Sequence, residues 1–168
     1  MRVYLPTTLS GLAALVATGE IGPSPLTGYA VTAALREWYP DADVEELEYL
    51  ALGEAAGASL RMLLDRPVPP RRVVLAADVP DAVVVAAPLV GRAAVHVDQA
   101  VPRRRVAAGH LDDADAGAAV SAAVGALSAA DAGEPRAVHL VDEAEAYELL
   151  WYAGQELDDL VTSGAVPG

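Results

Sequence analysis

Arg72–Ala77, read as RVVLAA and followed by the turn residues Asp78–Asp81 (DVPD), decides how this chain is read. Two valines, a leucine and two alanines in an unbroken apolar run make a segment too short for a typical helix. Its β-branched and small apolar residues fit a strand buried in a sheet. The Asp and Pro that follow turn the chain.

Downstream the pattern stays strand-rich. Ala82–Ala86 is a short strand candidate. Ala93–Val97 alternates, with Val95 and Val97 on one face and His96 on the other. Arg105–Leu111 reads as a further strand. Asp112 or Asp113 then caps an Ala/Gly-rich helix to about Ser128, its small side chains suited to lying close on a sheet. Ala137–Val141 reads as the last strand. Asp142 with Glu145 forms a capping-box pattern for a helix to about Val161, whose apolar stripe holds Leu150, Ala153, Gly154, Leu157 and Val161.

Upstream, Arg2–Leu5 is a strand ended by Pro6, and Thr7 or Thr8 caps a helix through Ala17 that stops at Gly19. Thr27–Thr32 reads as a second strand, parallel or nearly so to the first and joined to it by a right-handed crossover. Thr32 opens a short helical turn through Tyr39, which Pro40 breaks. Asp43 and Glu46 form a capping box for a long helix to about Leu64, ended by Pro67, Pro69 and Pro70. The expected architecture is one α/β or α+β domain over residues 1–162, a mixed sheet packed by about four helices, with 163–168 as a tail.

The 168 residues carry a net charge of −13, are 54% apolar and have a mean hydropathy of +0.31. Lys, Asn, Phe and Cys are absent, so every formal cation is Arg, and Tyr and Trp supply all the large aromatic surface. Such acidity argues against nucleic acid and anionic membranes as partners, since both need a positive face. The Arg71–Arg72 and Arg103–Arg105 clusters read as charges flanking strand starts. Zero Cys rules out disulfides and thiolate metal sites and fits a reducing compartment. The Ala/Gly-rich uncharged run Ala116–Ala130 is shorter than the roughly 18 residues of a spanning helix. A cytoplasmic protein is expected, without a cofactor: no Gly-rich phosphate loop follows a strand, and no Ser lies in a G-x-S-x-G context.

Two constellations are candidate sites. His96 with Asp98, His110 with Asp112, and His139 with Asp142 recur at strand ends. In the first two pairs the spacing puts imidazole and carboxylate on one face of a strand, as a metal ion or an acid/base pair requires. If the strands are neighbours, the three His converge. The second group is Tyr4, Arg36, Trp38 and Tyr39 with Tyr147, Trp151 and Tyr152. It suits a protein-binding hot spot or a small-molecule pocket. In a chain without Phe, these same rings also serve as core bulk.

Arg2–Pro6 (RVYLP), Tyr29–Tyr39 (YAVTAALREWY), Glu45–Leu52 (EELEYLAL), Arg71–Ala82 (RRVVLAADVPDA) and Glu148–Leu157 (ELLWYAGQEL) together resemble a family of actinobacterial hypothetical proteins described only as a domain of unknown function. The resemblance implies a stand-alone cytoplasmic domain and carries over no activity or site. From the residues, the leading expectation is a non-catalytic protein-binding or regulatory domain acting through a protein partner or as a homodimer. The alternative is a small-molecule or metal-binding enzyme using the strand-end His and Asp residues with Arg36. A third expectation, a structural subunit of a larger complex, requires a large exposed apolar patch.

Overall fold

In the computed structural model, residues 1–64 and 69–163 are described. In chain order they form β1 (Arg2–Thr7), α1 (Leu9–Thr18), β2 (Glu20–Ile21), β3 (Leu26–Tyr29), α2 (Ala33–Trp38), α3 (Val44–Met62), β4 (Val73–Asp78) and β5 (Val84–Ala86). There follow β6 (Ala94–Val97), β7 (Val101–Pro102), β8 (Val106–Leu111), α4 (Gly117–Asp131), α5 (Pro135–Glu145), β9 (Leu150–Ala153) and α6 (Glu156–Thr162). Seven strands form one sheet in the order β5-β6-β3-β1-β4-β8-β9, and β2 pairs separately with β7. Every pairing is antiparallel, so the fold is α+β.

The RVVLAA stretch earns its central place. β4 lies between β1 and β8, with Val73 through Ala77 all buried. Alternation sends Val73, Leu75 and Ala77 to one face, where they meet Val3, Leu5, Leu9, Leu12 and Leu15 from β1 and α1, and Leu157 of α6. Val74 and Ala76 face the other way, onto Leu47, Ala51 and Ala55 of α3 and Leu35 of α2. Each fully buried leucine contributes about 1.5–3 kcal/mol relative to exposure. A third cluster joins Leu60 and Leu63 at the end of α3 to Val120, Ala123 and Leu127 of α4 and Ala144 of α5.

The helix starts follow their capping residues. Thr8 Oγ1 accepts from Gly11 N–H at 3.1 Å, and α1 ends on Gly19 in the left-handed region at φ 82°. Asp43 and Glu46 make the reciprocal capping box, at 2.9 and 2.8 Å. Pro67 and residues 164–168 lie outside the described residues.

Several expectations need correction. The chain forms six α-helices among the described residues, not about four. The first two long strands are antiparallel neighbours, Tyr4 opposite Tyr29, because the β2 excursion after α1 reverses the chain before β3, which ends at Tyr29 rather than Thr32. Ala137–Val141 is helical, inside α5: Glu134 accepts from the N–H groups of Arg136 and Ala137, and Pro135 sits in the first turn. Asp142 therefore lies in the last turn of α5 and caps no helix start. The helix expected across residues 142–161 is interrupted by β9 and the turn at Gly154. A Cβ at Gly154 would lie 2.7 Å from Val106 O, so only glycine lets the chain come this close to β8. The small-residue helix α4 packs on α3 and α5 rather than on the sheet. Its approach is capped by Asp113, whose carboxylate accepts from Asp115 N–H at 3.3 Å, and not by Asp112.

Candidate functional site

A groove opens where α2 turns into α3. Thr32 anchors the start of α2: the hydroxyl caps the helix by accepting from Leu35 N–H at 3.1 Å and donates to the Arg92 carbonyl. Seven residues later Tyr39 ends the helix, and Pro40 forces the chain to leave it before the Asp43 capping box starts α3. The tight reversal pushes Trp38 and Tyr39 outward, and Tyr49 rises beside them from α3. Trp38 is 59% exposed and Tyr49 64%. These rings, with Asp41, Glu45 and Glu46, line an open groove of about 780 Å³. The guanidinium carbon of Arg92 stands 3.6 Å from the centroid of the Trp38 ring, a cation–π contact within the chain.

Tyr49 also borders a second cleft, of about 470 Å³, between α3 and the segment joining α5 to β9. Tyr147 and Leu149 form its far wall and Glu145 and Glu148 its rim, with Gly53, Ala56 and Gly57 of α3 opposite. Arg72 lies at its base, tied to Asp112. Nε donates to Oδ2 at 2.9 Å, Nη2 to Oδ1 at 2.7 Å, and the Arg72 amide to Oδ2 at 2.7 Å. Nη2 also reaches the Tyr147 carbonyl at 2.9 Å, which fixes the segment that walls the cleft. The Asp112 carbonyl accepts from Arg71 as well. Neither Arg72 nor Asp112 was singled out as a buried pair by the sequence. The available signal was an Arg just before one strand and an Asp just after another.

The predicted site residues separate. Tyr4 is 6% exposed, part of the core under α3, and meets His110 edge-on with ring centroids 6.2 Å apart. Burial raises the Tyr4 phenol above its ordinary range, with Glu48 adding to the effect. His110, half-buried on β8, is held below the usual histidine value by burial first and by Arg2 second. His96 stands on β6 opposite Thr27 and Val85. Three strands separate β6 from β8, which sets His96 and His110 about 19 Å apart at ~4.8 Å per strand step. His139 is on the solvent side of α5, its Nε2 3.3 Å from Glu143. The strand-end His residues thus do not share a ligand shell, and among the described residues no group of three or more His, Cys, Asp or Glu is placed to hold a metal. Asp98 follows β6, exposed. Arg36 is exposed on α2 and does not line the groove that Trp38 and Tyr39 form. Trp151, 63% exposed, sits on the edge strand β9 opposite His110. The tryptophans are surface groups, not core bulk.

Fold and site together define an α+β protein with a seven-stranded antiparallel sheet and an aromatic, acidic groove beside one of its helical layers. The chain belongs to a family of unknown function, DUF6912, whose model matches residues 1–161. No curated protein and no solved structure matches it. No helix among the described residues is long and apolar enough to cross a membrane.

Proposed function

We propose that this chain is a non-catalytic binding domain that receives a basic segment of a partner protein in the groove at the α2–α3 turn. One observation carries the reading: Trp38, Tyr39 and Tyr49 are held outward around a groove whose charged lining residues are all acidic. Exposed rings of this size are the residue type that dominates protein interfaces, and the π faces of Tyr39 and Tyr49 attract cations, Arg92 already covering one face of Trp38. Asp41, Glu45 and Glu46, on a chain of net charge −13, select positive partners and speed their approach. A second copy of the chain brings like charge and is the poorer occupant. The edge strand β9 is also poorly suited to self-pairing: its outward Ala153 N–H is already taken by Glu156 at 2.6 Å. The cysteine-free, Arg-only composition supports a cytoplasmic setting in a GC-rich organism of actinobacterial type.

The test is fluorescence polarisation with labelled Arg/Lys-rich peptides and matched Asp/Glu-rich ones. Basic peptides should bind, with affinity falling as salt rises. A Trp38→Ala/Tyr49→Ala variant that retains its circular dichroism should lose about 2 kcal/mol or more of binding. Equal binding of acidic peptides, or an unaffected double variant, overturns the reading.

A further inference from the structure

The cleft at the base of α3 has at its floor a guanidinium donor that no protein group takes. The side chain of Arg72 is only 2% exposed, yet its hydrogen bonds use Nε and Nη2 alone. Nη1 has no partner among the described residues. No side-chain nitrogen or oxygen that is shut off from solvent lacks a partner there, so the accessible sliver of Arg72 is at Nη1, opening on the cleft that Arg72 lines. A guanidinium N–H at the floor of a cleft calls for an oxygen acceptor.

The charges around it decide which acceptor. Asp112 neutralises Arg72 at close range, so the floor contributes little net charge. The rim adds Glu145 and Glu148, and the Glu145 Oε1 reaches over α3 to within 3.8 Å of where a Cβ on Gly57 would stand. An anion entering here would meet two carboxylates and gain only a neutralised arginine. A cation is favoured at the rim, while the floor needs a neutral carbonyl oxygen. Tyr49 and Tyr147 supply aromatic walls between the two, and about 470 Å³ lies within the range of small-molecule sites.

We propose that this cleft is a binding site for a small organic cation bearing a carbonyl oxygen, of the size of a basic amino-acid amide. Arg72 Nη1 donates to the carbonyl, and Glu145 and Glu148 hold the cationic end. The site shares Tyr49 with the peptide groove but includes Arg72 and Gly57 and not Trp38, so Gly57→Leu and Trp38→Ala test the two assignments separately.

Isothermal titration of the full chain with L-argininamide is the direct test, with sodium acetate as the anionic control. One-to-one binding of L-argininamide and none of acetate is expected. Substitution at Arg72 risks the fold, so Gly57→Leu serves instead: it fills the cleft from a helix position where only Glu145 lies within 4 Å. It should weaken binding by about tenfold or more (about 1.4 kcal/mol) with the thermal midpoint retained. Glu145→Gln/Glu148→Gln should weaken it and remove its salt dependence. Absence of heat at millimolar L-argininamide, acetate binding as tightly, or affinity unchanged by Gly57→Leu overturns the proposal.

Discussion

Arg72 and Asp112 meet side-on in the interior, two parallel N–H···O bonds at 2.9 and 2.7 Å, with side-chain exposures of 2% and 0%. They stand at the end of the β4–β8 pairing, one residue beyond the register pair Val73 and Leu111. The bidentate geometry and the amide contact to Oδ2 give the carboxylate a nearly complete set of donors, which is the condition under which a buried ion pair is tolerated.

Removing one member should therefore be far worse than removing both. Asp112→Ala leaves an uncompensated guanidinium in the interior and should cost about 3–5 kcal/mol in urea denaturation. The double variant Arg72→Met/Asp112→Leu should recover most of that loss, since it replaces the pair with apolar volume. A double variant as unstable as Asp112→Ala would show that the pair's hydrogen bonds to backbone, and not its charges, hold this corner.

This pair also shows where sequence reading stopped. Arg72 and Asp112 are 40 positions apart, and only the register of β4 against β8 brings them together. The β4 strand, the α3 capping box and the Gly19 stop are local signals, each contained in a few residues, and they were legible. β9 is not local. Leu150–Ala153 resembles part of an apolar helical stripe, and it becomes a strand because β8 offers it an open edge and Gly154 permits the close approach that follows. Ala137–Val141 misled in the opposite sense: two valines and a leucine suggested a strand, whereas the Glu134 cap and Pro135 determine a helix. Trp38 and Trp151 could not be placed by type, since a ring's burial depends on which face of the finished sheet or turn it receives.

Ser59 ties α3 to the sheet. Its buried hydroxyl donates to the Thr7 carbonyl at 2.7 Å and accepts from Val73 N–H at 2.9 Å, bridging β1 and β4 near their paired ends. Ser59→Ala strands a buried donor and a buried acceptor and should cost about 1–3 kcal/mol. Denaturant midpoints at constant m-value measure it. A loss below a few tenths of a kcal/mol would mean that water replaces the hydroxyl.

His110 makes stability pH-dependent in a defined direction. Its folded-state value is lowered from 6.5, chiefly by burial, so the unfolded chain takes up a proton more readily than the folded one. Above about pH 6.5 both states hold neutral imidazole and the group contributes no slope. As pH falls below that value the unfolded state is favoured and stability declines, until the folded imidazole itself protonates. Glu54, raised by burial, acts oppositely at lower pH, since its protonation relieves a penalty on the folded state. His110→Gln should flatten the stability profile just below pH 6.5 and leave it unchanged at pH 8. An identical slope in the variant would assign the effect elsewhere.

Two glycines should respond to alanine with opposite signs. At Gly154 the new Cβ would meet Val106 O at 2.7 Å and Ala107 O at 2.9 Å, both backbone atoms of the strand that Gly154 N–H also bonds, at 2.8 Å to Ala107 O. Neither carbonyl can rotate away without loosening β8, so Gly154→Ala should cost about 1–3 kcal/mol, as overpacking does. At Gly53, on the exposed side of α3, a Cβ would meet nothing within 4 Å. The only change there is in backbone entropy and helix propensity, so Gly53→Ala should stabilise by about 0.5–1 kcal/mol. Thermal unfolding of the two variants beside the parent chain separates them cleanly. A stabilising Gly154→Ala would mean that the chain leaves β9 by a wider turn than the one bonded to Ala107.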